Sequence, residues 1–428
     1  MPDRLFGMDT DTSTTSTKSD EQHFRIYPIA VVLGAFVGGV ASAFVWGVVS
    51  LKNLIWSHKD WSYNPKVVFL ICLVGGLLVG LLNHFSNLKE SHAHDLNEVF
   101  DEVQQIESVP LPKASQIFRR GILGITSLGF GGPLGPEAPV IELVSQFSAR
   151  MAHILRIARF EAVRISVAGA LGSLFGAPLA LATDEVSAQQ PSQSKVKKLV
   201  LLGPEIIAGV TAFVIFKKLL PGGGFHTFTG EENQSQVLIS WNILWVVVIS
   251  VLVGAVVRIV QHVLPIVRQF TVQYLPGGAI SAGLISGVVL GIGGATNKLV
   301  LFSGHHEIQE LLDEHYLWKF LIGIMLLKIV VLLACLAGGW FGGQIFPISF
   351  IGVALALSIG NVVGTSDTLM FAGAGFVAAV TVSLRKPMLG LILGILFFPS
   401  TTWLALALAT AIATIYLNRI DIKSQELH

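Results

Sequence analysis

The sequence predicts an all-α polytopic membrane protein, built from two repeats that contain broken and half-length helices. Three observations carry that expectation. Of the 428 residues, 52% are hydrophobic and only 13% are charged, against about a quarter charged in an ordinary soluble domain. Long runs contain no Asp, Glu, Lys or Arg at all. Glycines and prolines interrupt the apolar stretches at matching places in the two halves, the pattern of an internal repeat with a site at the bilayer midplane.

The composition also excludes. A soluble enzyme of this size would need far more charge to cover its surface. A net charge of +1 leaves no basic stripe to neutralise phosphates, so nucleic acid is not a partner. Cys72 and Cys335 lie within apolar runs and read as packing residues, not a disulfide. Ile26 to Leu51, Thr271 to Asn297, Ile329 to Ser366 and Pro387 to Asn418 are free of charge, and Val67 to Leu82 is almost wholly apolar. A spanning helix takes about 20 such residues, so the runs predict roughly ten to fourteen membrane segments.

Taken in order, residues 1–24 are polar with mixed charge and lack the pattern of a signal peptide, which predicts a cytoplasmic tail. The first repeat is expected over 25–221. Within it Gly34, Gly38 and Gly39 would break the first apolar run, and Gly75, Gly76 and Gly80 the second; close helix packing is the plainer use of such glycines. The stretches SLGFGGPLGPEAP and LAGGWFGGQIFP do not suit a continuous helix. Each contains a GxxxP element, Gly135 to Pro139 and Gly343 to Pro347, and each is followed by an apolar helix. A basic residue stands 19 positions before each proline (Arg120, Lys328), and a further proline follows each by about 40 (Pro178, Pro387). This spacing predicts a duplication. Residues 222–236 form the polar hinge, 237–418 the second repeat and 419–428 a short cytoplasmic tail. Arg150, Arg156, Arg159 and Arg164 gather in one connection and Lys195, Lys197 and Lys198 in another, which places both on the cytoplasmic side with both termini of a multi-pass cell-membrane protein. Between them, Ile165 to Thr183 is long enough only for two half-helices meeting near Gly176-Ala177-Pro178.

Proline at a first helical position pre-sets the backbone, so Pro139 and Pro347 mark helix starts. The residues just before them expose free N–H groups at the positive end of the helix dipole. Two such starts facing each other form an anion site from partial charges, which permit both binding and release. Glu137 stands at this point. A carboxylate in a membrane segment costs about 2.5–3.5 kcal/mol on insertion scales and marks a functional residue by default. Ionised, Glu137 would fill the anion site; protonated or swung away, it would admit an external anion. The plainer reading is a carboxylate that caps the helix. Glu142, five residues on, reads as a structural partner facing the bundle interior.

These residues resemble a known family. Gly135-Pro136-Glu137-Ala138-Pro139 is similar to the Gly-(Lys/Arg)-Glu-Gly-Pro motif of the chloride channel (CLC) family, and Gly343 to Pro347 to its Gly-x-Phe-x-Pro motif. Ala168 to Ala180 and Ser383 to Gly390 resemble the segments that follow each site, so the likeness runs from about residue 25 to 418 and is strongest to a divergent bacterial branch of ion-transport proteins. The resemblance implies a CLC-like inverted repeat, a homodimer with one pore per subunit, and chloride or a similar small anion as substrate, with protons coupled in the exchangers. It matches Glu137 to the gating glutamate and proton acceptor, and Gln344 and Ile345 to amides of the central anion, with Phe346 beside them. Ala138 matches an outer-site donor, with Gly135 beside it. No cofactor or metal is implied.

The sequence also departs from the family. Pro136 replaces a basic residue and removes an N–H donor. The serine segment that binds the anion should fall near residues 91–95, where Ser91 and His92 are the candidates against a solvated loop. Tyr416 is the candidate for the central tyrosine, and Asp184 and Glu185 for the internal proton carboxylate, whose matching position is Ala188. Channel and proton/anion exchanger both remain open. The alternative from another class is a secondary transporter of a different ion or solute on the same architecture. An enzyme is disfavoured, since no HExxH or recognisable Ser/His pairing occurs, and His305-His306-Glu307 falls in a polar connection read as solvated rather than as a metal site.

Overall fold

A computed structural model describes residues 12–57, 64–86, 113–176, 195–222, 227–230, 242–365 and 367–425. Among them there is no named strand; they form fourteen α-helices and two short 3₁₀ helices. The first half contributes α1 (Thr12–Trp56), α2 (Pro65–Ser86), α3 (Ala114–Gly129), α4 (Glu137–Leu155), α5 (Arg159–Phe175) and α6 (Lys195–Leu219). The second contributes α7 (Asn242–Tyr274), α8 (Ala279–Thr296), α9 (His305–Asp313), α10 (Trp318–Ala337) and α11 (Ile345–Val363). It closes with α12 (Thr368–Leu384), α13 (Pro387–Phe397) and α14 (Trp403–Gln425).

After the two breaks the halves match helix for helix. The helices that follow the two GxxxP breaks, α4 and α11, are each 19 residues long. The next pair, α5 and α12, are each 17. All four end on a left-handed residue: Arg156, Gly364, Gly176 and Arg385. Packing repeats as well, since α1 lies on α5 and α6 while α7 lies on α12 and α14. The halves meet where α2 crosses α8. There a Cβ on Gly287 would come within 2.8 Å of the Cys72 carbonyl oxygen, and one on Gly283 within 2.7 Å of the Gly80 Cα. Backbone touches backbone at this crossing, which only glycine permits.

Seven described helices are long and apolar enough to cross a membrane, with α12 and α13 apolar but shorter. That count covers the described residues alone and leaves out α3 (16 residues), α5 and α12 (17 each) and α13 (11), which are shorter than a full span. Helices α4 and α5 carry charges inside the bundle, and those charges are paired: Arg120 with Glu142, and Arg164 Nε with Glu205 Oε1 at 2.8 Å. Arg164 therefore belongs to α5 and not to a basic connection, because Glu205 on α6 satisfies it.

Two further expectations change. The glycine groups at 34–39 and 75–80 do not break α1 or α2, which run through them; Gly34 and Gly38 instead admit the backbone of Ala208 and Ala212 on α6. The inter-repeat segment is not a free hinge where it is described. Phe228 is buried, its N–H donates to the Phe397 carbonyl at 2.7 Å, and the Thr229 N–H donates to Gln309 Oε1 at 3.0 Å. Cys72 and Cys335 are buried and free.

Candidate functional site

The non-helical stretches 130–136 and 338–344 lie where the sequence placed them. Each contains a left-handed glycine eight residues before its proline, Gly131 (φ 90°) and Gly339 (φ 82°), a conformation that other residues adopt only at a cost. The two breaks are then tied to each other. The Gly135 N–H donates to the Gly343 carbonyl at 2.9 Å, and the Gly343 N–H to the Gly135 carbonyl at 2.7 Å. This antiparallel bridge joins equivalent residues of the two repeats, and it brings the starts of α4 and α11 together.

Side chains fix the breaks from outside. Ser127 Oγ accepts the Phe341 N–H at 3.0 Å, and Trp340 Nε1, fully buried, donates to Ser286 Oγ at 2.8 Å. The half-buried Asn83 Nδ2 donates to the Gly339 carbonyl at 2.8 Å. Non-helical backbone at membrane depth needs such partners, since lipid offers none.

Helix α4 begins at Glu137 and α11 at Ile345, so each proline sits third in its helix and not first. The first four N–H groups of a helix have no partner within it, which is why proline fits there equally well. Glu137 is fully buried, and its Oε1 accepts the Ile345 N–H at 3.1 Å. Glu137 and Ile345 occupy equivalent positions, two before their prolines. The carboxylate of one half-site therefore sits on the first N–H of the other, at the positive ends of two helix dipoles. A Cβ on Gly343 would overlap the Glu137 carboxyl group, and one on Gly135 would overlap Glu137 Oε2. Both glycines are required by the carboxylate's position and not by backbone angles.

Around this point the remaining candidates fall as follows. Gly135, Ala138, Gln344, Ile345 and Phe346 are all brought to the paired helix starts, and Ala138, Gln344, Ile345 and Phe346 are buried. Pro136, the N-cap of α4, contributes no N–H, whereas Gln344, the N-cap of α11, has both a backbone N–H and a side-chain amide. Tyr416 lies on α14 with its ring against Gly254 of α7. Ser91, His92, Asp184 and Glu185 lie outside the described residues.

Two buried groups were not foreseen in their roles. Lys328, the counterpart of Arg120, donates its ammonium to four carbonyls: Leu299 (3.3 Å), Val300 (3.1 Å), Leu301 (3.2 Å) and Phe302 (2.9 Å). Its Nζ also lies 5.0 Å from the Phe350 ring centroid. The signal in the sequence was a lone lysine in an apolar run, at the same spacing as Arg120. His305 is not solvated: it starts α9, is buried, and meets the rings of Phe346 (5.0 Å), Phe228 (5.2 Å) and Phe397 (5.5 Å). No group of metal-ligating side chains occurs among the described residues.

Comparison with known proteins accords with this geometry. The family model described as voltage gated chloride channel matches residues 75–418. The chain belongs to the voltage-gated chloride channel (CLC) family. Among its relatives is the "Putative ion-transport protein YfeO" of an Escherichia coli strain, 26% identical over 398 residues, covering 87% of this chain and 89% of that protein. The fold of this CLC protein is shared with a slow cyanobacterial Cl⁻/H⁺ antiporter (TM-score 0.74, 18% identity, 92% and 95% of the two chains). A CLC-type fluoride/proton antiporter matches similarly (TM-score 0.73, 18% identity, 95% and 96%). As a CLC protein with several apolar spanning helices, the chain is an integral multi-pass membrane protein. Its family is one of channels and transporters, not of enzymes.

Proposed function

We propose that this CLC protein moves chloride or a similar small anion across the cell membrane by proton-linked exchange, with Glu137 as both gate and proton carrier. One observation carries the reading: a fully buried carboxylate seated on the Ile345 N–H at the opposed helix starts. A carboxylate and an external anion compete for the same donors, so an arriving anion displaces Glu137. Displaced from the positive helix ends, the carboxylate takes up a proton. When the anion leaves, the carboxylate returns ionised and its proton is released. The functional unit is taken as a homodimer with one path per subunit, the repeats spanning 25–221 and 237–418 and both termini in the cytoplasm. Gly135, Ala138 and Phe346 complete the anion seat, and Ser91, His92, Tyr416, Asp184 and Glu185 keep their candidate roles.

The test is purified protein in chloride-loaded liposomes, with chloride efflux and proton uptake recorded together. Coupled movement is expected in the parent, and Glu137→Gln is expected to carry chloride without protons. Chloride efflux from the parent with no proton movement would refute exchange in favour of a channel. Sodium-dependent flux that ignores chloride would refute the anion reading.

A further inference from the structure

Gln344 is 4% exposed, and its Nε2 has no hydrogen-bond acceptor within reach among the described residues. It is the N-cap of α11, yet its side chain makes no capping hydrogen bond. A buried amide donor left in this state is a standing penalty on the folded protein. The next residue, Ile345, supplies the N–H on which Glu137 is seated, so the residue that holds the unused donor directly precedes the anion seat in the chain. The equivalent residue of the first repeat is Pro136, which has no donor at all. One half of the site thus brings a carboxylate without a side-chain donor, and the other a side-chain donor without a carboxylate.

We propose that the Gln344 side-chain amide is a direct donor to the transported anion and sets the preference of the site for compact, strongly accepting monovalent anions. The proposal rests on the anion-transport reading above. While Glu137 fills the seat the amide is unused. Once an anion replaces the carboxylate, the amide adds a donor to the backbone N–H groups. A neutral amide strengthens binding without the tight hold of a full charge. A compact anion such as chloride concentrates charge on its acceptor surface and gains more from an added donor than a diffuse one such as thiocyanate.

The experiment titrates the full chain in detergent with sodium chloride and with sodium thiocyanate by calorimetry, in the parent and in Gln344→Met, with thermal unfolding of both without added anion. Met has a similar shape and no donor. Chloride affinity is expected to fall about tenfold or more, thiocyanate affinity to change less than about threefold, and thermal stability to hold or rise because an unpaired buried donor has gone. Gln344→Asn, which keeps a shorter donor, should recover part of the chloride affinity; if the Met variant does not fold, this variant carries the test, with an intermediate loss expected. Unchanged chloride affinity and an unchanged chloride/thiocyanate ratio would overturn the proposal while leaving anion transport intact. A fall in stability accompanied by an equal loss of both anions would overturn it in favour of a structural role. If the parent binds neither anion and carries neither in liposomes, both this proposal and the transport reading fail.

Discussion

Gly343→Ala is the sharpest probe of the Glu137 seat. The Ala methyl would overlap the Glu137 carboxyl group, which is the free end of a flexible side chain, while Gly343 has no positive φ that would strain an alanine. The carboxylate must therefore leave, and the Gly135–Gly343 backbone bridge can stay. Leaving forfeits at least the charge-assisted hydrogen bond to the Ile345 N–H at 3.1 Å. Such a bond contributes about 1.5–3 kcal/mol, which shifts the seated/displaced equilibrium by about ten- to a hundredfold toward displacement. In liposomes Gly343→Ala should behave like Glu137→Ala, with faster, weakly coupled chloride efflux and a flattened pH dependence. A double-mutant cycle supplies the control: with Glu137 already Ala, the added methyl meets no carboxylate and should change little. Parent-like coupling and pH dependence in Gly343→Ala would refute the seat as the point of control.

Three other outcomes follow from packing and charge. Arg120→Met leaves the buried Glu142 without its cation and should destabilise by about 3–5 kcal/mol, whereas the double replacement Arg120→Met/Glu142→Leu should recover most of that in detergent unfolding. Lys328→Met strips four carbonyls, three of them buried, of their donor and should lower stability by at least about 2 kcal/mol; Lys328→Arg should restore little, since a planar fork cannot address four oxygens along one turn. Gly283→Ala drives a methyl against the α2 backbone and should cost about 1–3 kcal/mol, while Gly323→Ala, which meets nothing within 4 Å, should be neutral or stabilise by up to about 1 kcal/mol. Equal effects at the two glycines would contradict the close approach of α2 and α8.

The parts of the fold legible in the sequence were those written in residue types that have few other uses. Glycine clusters followed by proline marked both breaks, and a carboxylate in an apolar run marked Glu137. The paired spacing of Arg120 and Lys328 marked the duplication. What stayed illegible depends on partners distant in the chain. Gly34 and Gly38 could be read as breaks or as packing positions, because a sequence does not show that Ala208 and Ala212 will press against them. His305 looked solvated because the rings that bury it come from residues 228, 346 and 397. The helix starts were placed two residues late because proline is equally at home in the third position of a first turn.

Duplication brings two equivalent helix starts to one point, but a symmetric pair of carboxylates there would repel, and one would have to stay protonated. The chain has resolved this by divergence at three successive positions. Pro136, Glu137 and Ala138 stand on one side, and Gln344, Ile345 and Phe346 on the other. The first side gives a carboxylate and few donors; the second gives donors and no carboxylate. The Glu137 carboxylate consequently finds its seat on the repeat that lacks a carboxylate, at its own counterpart Ile345. The outer positions, Gly135 and Gly343, have not diverged, because both must pass the same backbone bridge and leave room for the same carboxylate. Identity is kept where the two halves hold each other through the backbone bridge, and difference arises where the carboxylate of one half is seated on the N–H of the other.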